Sequence, residues 1–171
     1  MSRTDIEDRV LKTFKNSHKY LGLKQLSVEN RIIFFWTLSP PFIFEPWTSW
    51  SIFHLKENET YLVRRIYWVQ DYIFEKVYSP HTFGCDTSIS IDLANRIVNS
   101  FPKSNKIDSY TGQIIMDGVH RRAIIFNDKI DHKWCKGEEN QLYDNWLEDS
   151  AKLLNEFMPI MLSKYDIKNI N

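Results

Sequence analysis

The run Ile32-Ile33-Phe34-Phe35-Trp36-Thr37, within the segment Arg31 to Leu38, constrains this chain more than any other feature. β-Branched and aromatic residues follow one another there without the polar alternation of a half-buried strand. The run predicts a strand buried on both faces. Pro40-Pro41 ends it, because proline cannot donate to a ladder.

The segments around this strand set the fold class. Thr4 to about Ser17 reads as a helix, with Ile6, Val10, Leu11 and Phe14 on one face and a Thr4/Glu7 capping box. Trp50 to Leu55 and Thr60 to Gln70 read as a hairpin turned at Lys56-Glu57-Asn58-Glu59, and Ile73 to Tyr78 as a further short strand. Pro80 to Ser88 reads as a loop. Ser90 caps a helix over Ile91 to Phe101, whose inner side carries Leu93, Ala94, Ile97, Val98 and Phe101. Asp117-Gly118 predicts a tight hairpin between Gln113–Met116 and Val119–Phe126, and Asn127-Asp128 a turn into Lys129–Cys135. A last helix runs from about Gln141 to Tyr165. Its apolar stripe holds Leu142, Trp146, Leu153, Phe157, Ile160 and Met161, with Leu147 and Leu154 beside it, and Asp144, Glu148, Asp149, Lys152 and Glu156 are expected in water. Pro159 should kink it or end its regular part.

Strands that follow one another through short turns pair antiparallel. The expected fold is therefore one α+β domain spanning residues 1–171. It has a largely antiparallel sheet of about six or seven strands with helices on one face. Each half contains a hairpin with an arginine pair (Arg64-Arg65, Arg121-Arg122) followed by a helix, so two half-sheets lying side by side are one way to build it.

Composition narrows the function. The chain carries 22 Lys+Arg against 22 Asp+Glu. The first 85 residues hold 11 basic and 9 acidic side chains, the rest 11 and 13, so neither half is a charged tail. A general nucleic-acid binder needs a basic surplus that is missing here. The amino terminus mixes charges of both signs with no apolar stretch behind them, and no lipidation pattern appears at either end, so no signal peptide or membrane anchor is expected. Two cysteines are too few for a disulfide framework. A cytoplasmic protein is the expectation. Only five glycines occur, and no glycine-rich nucleotide loop, HExxH or GxSxG pattern is present, so no cofactor is expected.

Four groups of residues have chemistry worth naming. His81 with Cys85, and His132 with Cys135, would supply four zinc ligands if the fold gathered them, although the spacing fits no regular finger. Cys85, after Gly84 in an expected loop, would serve as a nucleophile with His54, His81, His120 or His132 as its base. The ordinary alternative for Cys85 is a small core filler. Glu45 stands between Phe44 and Pro46, where surrounding rings would raise its pKa toward that of a general acid. Either residue would make the chain a small hydrolase. Phe42, Phe44, Trp47 and Trp50, with Arg65 and Tyr67, offer the aromatic and basic side chains that dominate protein interfaces. The plain alternatives are core packing for the rings and cross-strand ion pairs for the arginines.

Ile115-Met116-Asp117-Gly118, an alternating strand, Trp134 and then a helix containing Trp146 together resemble a pattern in small uncharacterised bacterial proteins. Arg64-Arg65-Ile66-Tyr67-Trp68 and the helix after Ser90 fit the same pattern. The likeness covers roughly Tyr61 to Phe157. It departs at the longer aromatic loop and at Glu138-Glu139-Asn140, where that pattern has a proline-rich segment. The resemblance implies a compact α+β domain, sometimes of the kind that acts as an immunity or partner protein beside a toxin, and it carries over no catalytic residue. The expectation is a non-catalytic protein-binding domain with another protein as partner. A self-associating structural subunit is a third possibility.

Overall fold

A computed structural model describes residues 23–38, 47–68, 82–103 and 118–158. In chain order the elements are β1 (Arg31–Leu38), β2 (Trp47–Leu55), β3 (Thr60–Trp68), β4 (Thr82–Ile89), α1 (Ile91–Asn99), β5 (His120–Ile125), β6 (Ile130–Cys135) and α2 (Gln141–Glu156), with single 3-10 turns at Val28–Asn30 and Glu138–Asn140. The strands form one antiparallel sheet in the order β4-β3-β2-β1-β5-β6. With the two helices this is an α+β fold.

β1 lies inside the sheet, paired to β2 on one side and β5 on the other. It joins the two halves into one continuous sheet. Both faces of β1 are buried: Ile33 and Phe35 point one way, Phe34 and Trp36 the other, and none is more than 1% exposed. The long apolar run is explained by this position. A strand with neighbours on both edges and cover on both faces has no polar side left to present.

The hairpins form where turn residues were expected. Leu55 pairs with Thr60 across Lys56–Glu59, and Ile125 with Ile130 across Phe126–Lys129. Both turns end on a residue in the left-handed region, Glu59 (φ 50°) and Lys129 (φ 55°). Residues 113–117 lie outside the described residues. β5, the expected partner of that segment, is paired on both edges, with β1 and β6. Thr4–Ser17 and Ile73–Tyr78 also lie outside the described residues.

α1 and α2 pack on one face of the sheet. Their Ala94, Ile97, Trp146, Leu147 and Leu154 join Ile33, Phe35, Trp50, Ile52, Val63, Ala123, Ile125 and Trp134 in one core. Phe35 stacks on Trp50 (centroids 5.1 Å apart) and meets Trp146 edge-on at 5.3 Å. Ser90 caps α1, its side chain accepting from the Leu93 N–H at 3.2 Å.

Three expectations are corrected. Residues 82–88 belong to β4 rather than to a loop: every residue from Thr82 to Ile89 is in register with β3. The small, polar sequence Gly-Cys-Asp-Thr-Ser has no apolar alternation to announce a strand, and pairing with β3 imposes one. Asp144 is 3% exposed rather than in water. Leu142 and Phe157 are 70% and 54% exposed, off the core. The arc of α2 that meets the sheet carries Trp146, Leu147, Ser150 and Leu154. It is rotated from the stripe that hydrophobicity alone picks out.

Candidate functional site

Between the carboxyl end of α1 and the flank of α2 beside it lies a groove of about 620 Å³. Arg96 and Ser100, with Pro102 and Lys103 beyond them, form one wall. Leu142, Trp146, Asp149, Ser150 and Leu153 form the other. Its two walls are tied together, because the Trp146 indole N–H donates to the Ile97 carbonyl at 3.0 Å. The Ser100 hydroxyl donates to the same carbonyl at 3.1 Å. The groove thus has a fixed floor, an apolar α2 side continued by exposed Leu142, and a basic α1 side. It falls within the range of volumes typical of binding clefts.

The four paired arginines of the sequence serve the fold. Arg64 makes a two-pronged pair with Asp86 on β4, at 2.7 Å for both contacts, and donates to the Lys24 carbonyl. Arg65 is fully buried on the helix face, hydrogen-bonded to Asn155 of α2, with its guanidinium 4.7 Å from the Tyr67 ring centroid. Arg121 reaches Asp144 at 2.7 Å and Glu148 at 2.9 Å on α2. Arg122 grips Asp131 on β6 at 2.7 Å. Alternation does send one arginine of each pair to each face, as expected for strands. Each then meets a partner on a neighbouring strand or on α2, so none of the four is a free cation of an open surface. Arg31 is a further buried arginine, with its guanidinium 5.2 Å from the Phe34 and Phe126 ring centroids and 5.9 Å from that of Phe53. Burial, with some help from Arg64, lowers its pKa to about 10.

The proposed aromatic-basic surface is therefore not assembled as expected. Trp50 is 5% exposed and packed on Phe35, and Arg65 is 0% exposed, so both are interior residues. The cause is strand alternation: Trp50 and Arg65 are cross-strand partners on the face that α1 and α2 cover. Tyr67 is half-buried, and burial raises its pKa. Trp47 opens β2 opposite Trp68. Phe42, Phe44, Glu45 and His81 lie outside the described residues.

The cysteine constellations are also taken apart. Cys85, Arg65, Trp50, Phe35, Ala123 and His132 are successive partners across all six strands. Cys85 on β4 and His132 on β6 are thus separated by five strand spacings, roughly 24 Å. Cys85 and Cys135 sit on opposite outer strands and cannot share a metal ion. No group of three or more His, Cys, Asp or Glu residues among the described residues is placed to hold one. Cys85 is 8% exposed, and burial pushes its thiol pKa up, against the nearby Arg65. Burial thus favours the protonated thiol, which packs in the core beside Arg65.

One contact escaped the sequence reading. Cys135 Sγ lies 3.5 Å from His120 Nδ1, across the β5–β6 pair. The signal was present in the turn: with Asn127-Asp128 at the tip, His120 and Cys135 fall opposite one another. Cys135 is only 7% exposed, and its carbonyl accepts from the Asn140 side chain at 3.0 Å, so the contact closes the end of the hairpin.

No protein-family model, curated protein or solved structure matches this chain. Among the described residues, no helix is long and apolar enough to cross a membrane.

Proposed function

We propose that this chain is a non-catalytic protein-binding domain that docks its partner along the outer edge of α2 and the groove beside it. The observation that carries this reading is the exposure of Leu142 (70%) and Phe157 (54%), at opposite ends of the helix whose middle lines the groove. Fifteen residues separate them, about 22 Å of helix at 1.5 Å per residue. Leu142, half-buried Leu153 and Phe157 fall within about 60° of one another around the helix, so they form one apolar line beside the cleft that a partner can cover. Burial of Cys85 and its distance from His132 support a role that does not use this thiol with that histidine. The resemblance to small uncharacterised bacterial proteins, some of them immunity-like, suggests neutralisation of a toxin as the biological use of such docking.

The test is capture by the immobilised full chain, compared with a Leu142→Asp/Phe157→Asp variant whose circular dichroism matches the parent. A stoichiometric protein retained by the parent and lost by the variant is the expected result. Equal retention by both would overturn the docking site. Retention of further copies of this chain alone, with a sedimentation coefficient that rises with concentration, would replace the reading with self-association.

A further inference from the structure

We infer that the groove between α1 and α2 takes an amphipathic helical segment of a partner protein whose apolar face is flanked by carboxylates. This rests on the docking reading above and adds the partner's chemistry. The argument starts from the arginines. Among the described residues, Arg31 lies against rings, Arg64, Arg121 and Arg122 hold carboxylates, and Arg65 holds Asn155 and Tyr67. Arg96 alone meets neither a carboxylate nor a ring, and it stands exposed on the groove wall. Lys103 stands exposed on the same wall, also without an ion pair. The facing wall offers one carboxylate, Asp149, against these two cations. Three of the described arginines hold carboxylates, whereas Arg96 and Lys103 line a cleft.

The apolar half of the groove fixes the other property of the ligand. Exposed Leu142 and half-buried Leu153 lie along one side of α2, about three turns apart with the edge of the largely buried Trp146 between them, a line that a second helix can follow with apolar side chains recurring every three or four residues. The Trp146–Ile97 hydrogen bond joins the two helices at this floor. A partner helix laid along α2 would set its apolar face on these residues and an acidic flank against Arg96 and Lys103. Ion pairs formed at such a rim choose partner and register more than they add affinity.

Three synthetic fifteen-residue peptides test this. The first repeats Leu at helical spacing with Glu flanks, the second has the same Leu positions with Lys flanks, and the third has Glu flanks with Ser replacing Leu. Each is titrated into the full chain and followed by fluorescence anisotropy and by the Trp146 indole NMR signal, assigned with Trp146→Phe. The Leu/Glu peptide should bind best, roughly fivefold tighter than its Lys counterpart at low salt. The Leu/Ser exchange should abolish binding. Arg96→Glu/Lys103→Glu should reverse the preference between acidic and basic flanks. Equal or better binding of the Lys peptide, an unchanged preference in the double variant, or no binding of any peptide would each overturn the inference. The docking reading fails separately: it falls if the captured partner survives Leu142→Asp/Phe157→Asp, whatever the peptides do.

Discussion

Asp144 is 3% exposed and accepts three hydrogen bonds: from Arg121 Nη1 at 2.7 Å, from the Trp134 indole at 2.8 Å and from the Gly137 N–H at 3.0 Å. These bonds join α2 to β5, to β6 and to the turn between β6 and α2. Removing the carboxylate strands a guanidinium that is itself 5% exposed, with only the half-exposed Glu148 left to it. Asp144→Ala should therefore cost about 3–5 kcal/mol, the usual result of breaking a buried pair from one side. Urea unfolding of the variant measures it, and a loss below about 1 kcal/mol would contradict the network. The sequence placed Asp144 in water because a carboxylate on an amphipathic helix ordinarily faces out. Which of Asp144, Glu148 and Asp149 turns inward depends on where Arg121 stands, and Arg121 comes from another strand.

At the scale of elements, β1, the two hairpin turns and α1 were all legible. Their signals are local: a continuous apolar run, turn residues between alternating segments, and a capping serine. Ser90 illustrates the local kind. Its hydroxyl satisfies the Leu93 N–H, so Ser90→Ala should lower stability by about 1 kcal/mol, while Ser90→Asp should restore most of it. Thermal unfolding of the three proteins decides this, and equal midpoints for all three would show that the cap contributes nothing. β4 was not legible, because its order comes from pairing with β3 and from the Arg64–Asp86 contact rather than from its own composition. The rotation of α2 was not legible either. Leu142 and Leu154 have the same hydrophobicity, and only the position of the sheet makes one exposed and the other buried.

Across the whole molecule, carboxylate–arginine contacts couple stability to pH. The Arg122 side chain, hydrogen-bonded to Asp131, holds that carboxyl below its usual range, and Arg121 does the same for Glu148. A carboxyl whose pKa is lower in the folded state binds protons more readily when unfolded. Its stabilising contribution is therefore complete above the unfolded pKa and is lost as pH falls through the folded one. Stability should hold from neutral pH down to about pH 5 and then decline. Glu148→Gln, which cannot titrate, should lose less than the parent over the same fall. Denaturant midpoints at pH 6 and pH 3.5 provide the comparison. An equal decline in both proteins would remove Glu148 from the account.

The sequence by itself determined that this chain forms an antiparallel α+β fold around a strand buried on both sides. Apolar runs, caps and turns act over a few residues and need no knowledge of the rest of the chain. Only the tertiary structure decided the order β4-β3-β2-β1-β5-β6, the burial of Trp50, Arg65 and Asp144, and the separation of Cys85 from His132 and Cys135. It also left Arg96, Lys103, Leu142 and Leu153 together around one groove. Those outcomes depend on which distant strands become neighbours and how a helix is turned against them, and no short stretch of residues encodes either.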